Sequence, residues 1–270
     1  MDMEINESVA RKVLDTVDAG LVQGMGKPVP GQMCVEAAVN FALGAPHGDQ
    51  PACVAPTLRA LKIRLNDASW SSNEARTNGL RRLALAQLGS DGVLDEKEFV
   101  RRVVEHAIKV SVPEALRAAA KLVKGEHKYK LLKAADACEA DPSRANAVSA
   151  KETAYAAAYA AYAAYAAYAA AYPAAAAAAY AADAAVSTEA AAAYAADAAD
   201  DADAADAAAA AADDAYAAAA AAAYAAAAAD AAKNAARDAS LAAYAEAVVQ
   251  ILIDMKAPGC QWLWLTEEAA

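Results

Sequence analysis

Through the first 150 residues the large apolar side chains return every three or four positions, the step of a helix with one buried face. Asn6 is placed to cap a first helix through Val9, Val13, Leu14 and Val17, which ends near Gly20 and Gly24. A second is expected over 32–43, stopped by Gly44 and Pro46, with Cys34, Val35, Ala38, Phe41 and Ala42 as its packing residues. A third over 57–66 sets Leu58, Leu61, Ile63 and Leu65 between Arg59, Lys62 and Arg64. Ser71 with Glu74 reads as a capping box for a fourth, and Asp95 with Glu98 for a fifth running through Phe99, Val103, Val104 and Ile108. Pro113 suits the first turn of a sixth helix, and a seventh over 127–139 follows Gly125 and breaks at Asp141-Pro142-Ser143. No stretch alternates apolar and polar residues with β-branched enrichment, so strands are not expected.

From 151 onward the pattern changes to alanine punctuated by tyrosine, with Tyr155, Tyr159, Tyr162, Tyr165, Tyr168 and Tyr172 three or four residues apart. Alanine has the highest helix propensity, and this spacing predicts a helix over 150–172 with aromatics along one side. The mean step of 3.4 residues falls short of 3.6, the drift that a left-handed supercoil corrects. Pro173 can start the next helix, and Ser187 or Thr188 with Glu189 marks another start. From there to Lys256 nothing breaks the helix, so a turn is expected near 200–203 or 213–214. Beyond 240 the apolar residues Val248, Val249, Ile251, Leu252 and Ile253 lead to Trp262-Leu263-Trp264-Leu265, a tail expected to dock on the N-terminal half and cover its indoles. The fold class read from these patterns is all-α, with a multi-helix domain over 1–150 and an elongated Ala/Tyr-rich hairpin, coiled coil or bundle over 151–270.

Charge follows the same division. Residues 1–150 hold 20 Lys and Arg against 19 Asp and Glu, whereas residues 151–270 hold 4 against 16. The second half therefore repels nucleic acid and anionic membrane surfaces and can attract a basic protein. The longest uncharged run, 153–182, has the length of a membrane span, yet it lacks Leu, Ile, Val and Phe to drive insertion. No membrane segment is expected. Four scattered cysteines without a CxxC pair, and no charged-then-apolar leader after Met1, lead to the expectation of a cytoplasmic protein with reduced thiols.

Candidate chemistry is sparse. Asp91 to Phe99 resembles the second half of an EF-hand loop, with Asp91, Asp95 and Glu98 as the metal-ligating candidates. The first and third ligand positions hold Gln87 and Gly89, so Asp95 reads as a helix cap and no calcium is expected. Cys34 at a helix start, where backbone amides can lower a thiol pKa, with His47 or His106 as base, defines a cysteine-enzyme alternative. Cys34, His47 and Cys53 are three loosely spaced zinc candidates without a fourth. No phosphate-binding glycine loop occurs and no cofactor is expected. The arginines at 59–64, 81–82 and 101–102 read as solvated helix faces.

The Tyr-Ala-Ala-Asp repeats at Tyr180 and Tyr194, behind a helical region and before Pro258-Gly259-Cys260-Gln261-Trp262-Leu263, resemble a group of bacterial alanine-rich helical proteins. Some of these are labelled immunity proteins of polymorphic toxin systems. The charge segregation and the Tyr–Ala pattern themselves give the reading of a non-enzymatic binding module that occludes a basic protein. Tyrosines 155, 159, 162, 165, 168 and 172 would be its anchors, and Asp197, Asp200, Asp201, Asp203 and Asp206 would steer the partner. Self-association through the Tyr–Ala faces, giving a homo-oligomer with a structural role, is a further alternative.

Overall fold

Asn6 accepts a hydrogen bond from the Val9 amide at 3.1 Å and opens α1, Glu7–Asp18, as its position before an apolar stripe predicts. In the computed structural model, residues 5–163 and 230–268 are described. Regular structure among them is helical, with two isolated backbone bridges, Leu21 to Met33 and Gly26 to Met33. The all-α expectation is correct. No described helix is long and apolar enough to cross a membrane.

α2, Val35–Leu43, begins three residues later than expected because Cys34 is its N-cap, and it closes on Gly44 in the left-handed conformation, φ 69°. α3 is Pro56–Asp67 and α4 is Asn73–Ala86. The α4 cap is Ser72, whose Oγ accepts from the Ala75 amide at 3.0 Å, so the box expected at Ser71 is displaced by one residue. Asp95 caps α5, Glu96–His106, accepting from the Glu98 amide at 3.1 Å.

Pro113 stands in the first turn of a sixth helix, as expected, but no loop separates that helix from α5. After His106 a π-helical turn, Ala107–Ser111, leads directly into α6, Val112–Ala120. Proline lacks the amide that an α-helix requires, and the wider turn just before it absorbs the mismatch, so two expected helices form one continuous run. α7, Gly125–Ala140, and α8, Arg144–Ala163, follow across the predicted break at Asp141. The remaining described elements are α9, Asp230–Asp254, a 3-10 turn at Pro258–Trp262, and α10, Leu265–Glu268.

Two compact units divide the chain: Met1–Phe99 with Leu241–Ala270, and Val100–Ser240. They follow packing, not the composition change at 150, which lies inside α8 because Ala and Tyr continue the helix that Arg144 begins. The apolar tail belongs with the N-terminal residues, as its composition suggested. In that first unit Val13, Val17, Val39, Leu58, Leu65, Leu80 and Leu83 are buried together with Val248, Leu252, Leu263 and Leu265. Gly259 permits the docking, since a Cβ there would lie 2.2 Å from the Leu85 carbonyl oxygen. Arg81 donates to both Asp18 oxygens at 2.6 and 2.9 Å and to the Thr266 carbonyl at 2.7 Å, joining α1, α4 and α10. Trp264 is not covered as expected; it is 40% exposed, with the Arg11 guanidinium 5.2 Å from its ring centre. Phe41, expected in the α2 packing face, is also exposed.

The second unit packs α6, α7 and α8 around Leu116, Leu131, Ala135, Cys138, Ala147 and Ala154. Arg117 of α6 pairs with Asp136 and Glu139 of α7.

Candidate functional site

On α3 the residues Leu58, Leu61, Lys62 and Leu65 stand at i, i+3, i+4 and i+7, so the apolar face of the helix includes a lysine. Lys62 is 0% exposed, and Glu36 in the first turn of α2 meets it with equal burial. Lys62 Nζ lies 3.4 Å from Glu36 Oε1. Gln87, immediately after α4, is also fully buried and lies against Glu36, favouring its charged form. Neither Glu36 oxygen, nor Lys62 Nζ, nor Gln87 Oε1 completes a hydrogen bond. Burial pushes the Glu36 carboxyl up and the Lys62 ammonium down, and the attraction of each for the other opposes the shift without cancelling it.

Above this cluster a recess of about 20 Å³ is lined by Cys34, Glu36, Asp49, Asn66 and Asp67, space for one water-sized group. Its walls are fixed by hydrogen bonds. Asn66 Oδ1 accepts from the Val35 amide at 3.2 Å, and its Nδ2 donates to the Val22 carbonyl at 2.9 Å. Asp67 Oδ1 accepts from the Gly24 amide at 2.7 Å and from Asn66 Nδ2 at 2.9 Å. The start of α2 is thus held to the end of α3.

Cys34 occupies the helix start anticipated for it, its Sγ accepting from the Ala37 amide at 3.3 Å. Desolvation outweighs those amides and pushes the thiol up to about 11, the reverse of what an activated nucleophile needs. The residue is 4% exposed and packs in a cluster with Met33 and Ala37. His47 Nε2 donates to the Gly26 carbonyl at 3.3 Å, and its Nδ1 is buried without a hydrogen-bond partner. His106 belongs to the other compact unit. Burial raises the Cys53 thiol as well.

Asp91, Asp95 and Glu98 gather no metal site; among the described residues no group of three or more His, Cys, Asp or Glu side chains is arranged to hold an ion. Asp95 is committed to its cap. Tyr155, Tyr159 and Tyr162 fall within α8, at i, i+4 and i+7. Tyr165, Tyr168, Tyr172, Asp197, Asp200, Asp201, Asp203 and Asp206 lie outside the described residues.

Two of the arginine-containing segments expected as solvated faces are paired in part. Arg81 and Arg82 are ion-paired with Asp18, Glu246 and Glu267, and Arg101 with Glu105. Lys62, expected with its neighbouring arginines on a solvated face, is buried; its position one turn from Leu58 and three residues before Leu65 was the available signal. No family model, curated protein or solved structure matches the chain.

Proposed function

We propose that the chain is a non-enzymatic helical binding protein that occludes a basic protein partner through residues 151–270, in the manner of an immunity or inhibitor protein. The segregation of charge carries this reading: 4 basic against 16 acidic residues after position 150, and near balance before it. The resemblance to alanine-rich immunity proteins supports the same class. The raised Cys34 thiol favours a non-catalytic role for the α2 start. In this reading the aspartates at 197, 200, 201, 203 and 206 accelerate encounter, while the tyrosine series from 155 to 172 supplies anchoring area, and the protein works in the cytoplasm.

The test uses the full chain, tagged, in lysate of its source organism at low and at high salt. A basic protein retained at one-to-one stoichiometry at low salt, with an association rate that falls as salt rises, supports the reading. Asparagine at the five aspartate positions should slow association and flatten its salt dependence. Retention of no protein, or an unchanged on-rate in that variant, sinks it.

A further inference from the structure

The lysines of the second compact unit are unevenly spread. Lys121, Lys124, Lys128, Lys130 and Lys133 fall within one short stretch in which Glu126 is the one acid. Lys121 follows α6, Lys124 precedes α7, and the other three lie in the first half of α7 or just beyond it. All five are exposed, and Tyr129 between two of them is 66% exposed. Lys130 pairs with Glu126 at 2.8 Å, but among the described residues the other four lysines form no ion pair. Arg117 on α6, by contrast, is matched by Asp136 and Glu139. Lys124 stands one turn from Lys128, and Lys130 one turn from Lys133, the spacing at which like charges on a helix repel. Unmatched charge of one sign around an exposed aromatic ring gives the fold nothing and gives a partner both steering and an anchor.

The complementary charge is carried by the chain itself, since residues 183–214 hold nine acidic and no basic side chains. We infer that the lysine and Tyr129 face of α7 is a self-association surface that docks the acidic stretch 183–214 of a second copy of this chain. Every copy carries both surfaces, so two molecules can exchange contacts reciprocally, each offering its lysines to the other's aspartates. At physiological ionic strength charges are screened beyond about 8 Å, so the local match outweighs the net charge that the two copies share. A phosphate polyanion would satisfy the lysines of one copy and leave its nine acids unmatched, whereas a second copy satisfies both. The inference goes beyond the proposed function and draws on the same acidic stretch, so self-association and capture of a basic partner compete.

The deciding measurement is sedimentation velocity of the full-length protein over a range of concentrations, at low salt and at about 1 M salt, where the screening length falls to about 3 Å. The expected result is a reversible assembly of at least twice 27.5 kDa at low salt that dissociates to monomer at high salt. Combining Lys121→Gln, Lys124→Gln, Lys128→Gln and Lys133→Gln should raise the low-salt dissociation constant by about tenfold or more. The urea midpoint of that variant should match wild type, because all four side chains are exposed. Asparagine at 197, 200, 201, 203 and 206 should weaken the assembly in the same direction. Wild-type protein that stays monomeric at low salt overturns the inference, whether or not it binds nucleic acid or anionic vesicles. So does an assembly that survives high salt or ignores the lysine substitutions, which would place the contact on the Tyr–Ala faces. The lysine variant keeps every aspartate, so its retention of a basic protein from lysate reads the proposed function separately.

Discussion

Lys62 Nζ stands 3.4 Å from Glu36 Oε1 with neither side chain exposed, an ion pair buried entirely within the first compact unit. Taking two charges out of water costs more than their attraction returns unless further hydrogen bonds complete the geometry, and here they do not. Removing one partner strands the other. Lys62→Met and Glu36→Leu are each expected to destabilise the fold by about 3–5 kcal/mol in urea unfolding. The double variant, which replaces both groups with apolar atoms, should be more stable than either single one. A double variant no more stable than the weaker single one would show that the pair contributes net stability instead.

Gly259 sits where the C-terminal tail crosses the end of α4. A Cβ there would stand 2.2 Å from the Leu85 carbonyl oxygen and 2.7 Å from the Ala86 oxygen and the Leu88 nitrogen, all backbone atoms that cannot swing aside. Gly259→Ala is therefore expected to cost at least about 1–3 kcal/mol, the range for overpacking a close contact. Because the tail is spliced to the first unit here, tryptophan fluorescence should report its release together with the loss of stability. A wild-type unfolding midpoint would contradict the contact.

Much of this arrangement was legible in the chain. Asn6, Gly44 and Asp95 mark helix ends by short-range chemistry that no distant contact overrides, and they stand where the pattern places them. Ser71 and Ser72 are adjacent candidates for one cap, and local pattern does not separate them; Ser72 takes the role. Pro113 stands in the first turn of α6, where its missing amide places it, whereas the π turn that joins α5 to α6 leaves no local signal. The charge of Lys62 points to a solvated face while its spacing points inside, and only tertiary packing brings Glu36 to it. The recess between Cys34, Asp49, Asn66 and Asp67 unites residues up to 33 apart in sequence, beyond the reach of any local pattern.

Arg81 illustrates a surface charge made structural by geometry. It grips Asp18 through two parallel bonds of 2.6 and 2.9 Å while a third donor reaches the Thr266 carbonyl at 2.7 Å. A planar fork can do this and a lysine cannot. Arg81→Lys should lose the bidentate contact and the reach to α10, lowering stability by roughly 1–2 kcal/mol despite its unchanged charge. Arg101→Lys, whose partner Glu105 is an exposed neighbour one turn away, should change stability by at most about 0.5 kcal/mol. Equal effects at the two sites in parallel urea titrations would refute the distinction.

The thiols give the protein a defined alkaline limit. Cys34, Cys138 and Cys260 are each pushed up to about 11 by desolvation, from 9.0 for an exposed thiol. An acid whose folded pKa is raised holds its proton more tightly in the native state, so its contribution is complete below pH 9 and lost as pH climbs toward 11. The urea midpoint should fall over that interval, and a Cys34→Ala, Cys138→Ala, Cys260→Ala variant should show a shallower fall. Identical slopes would mean that the thiols ionise without sensing the fold. Near neutral pH the same burial keeps all three as slow-reacting thiols, so iodoacetamide should label Cys34 no faster than Cys138 or Cys260. Selective, rapid modification of Cys34 would instead restore the case for a nucleophile at the head of α2.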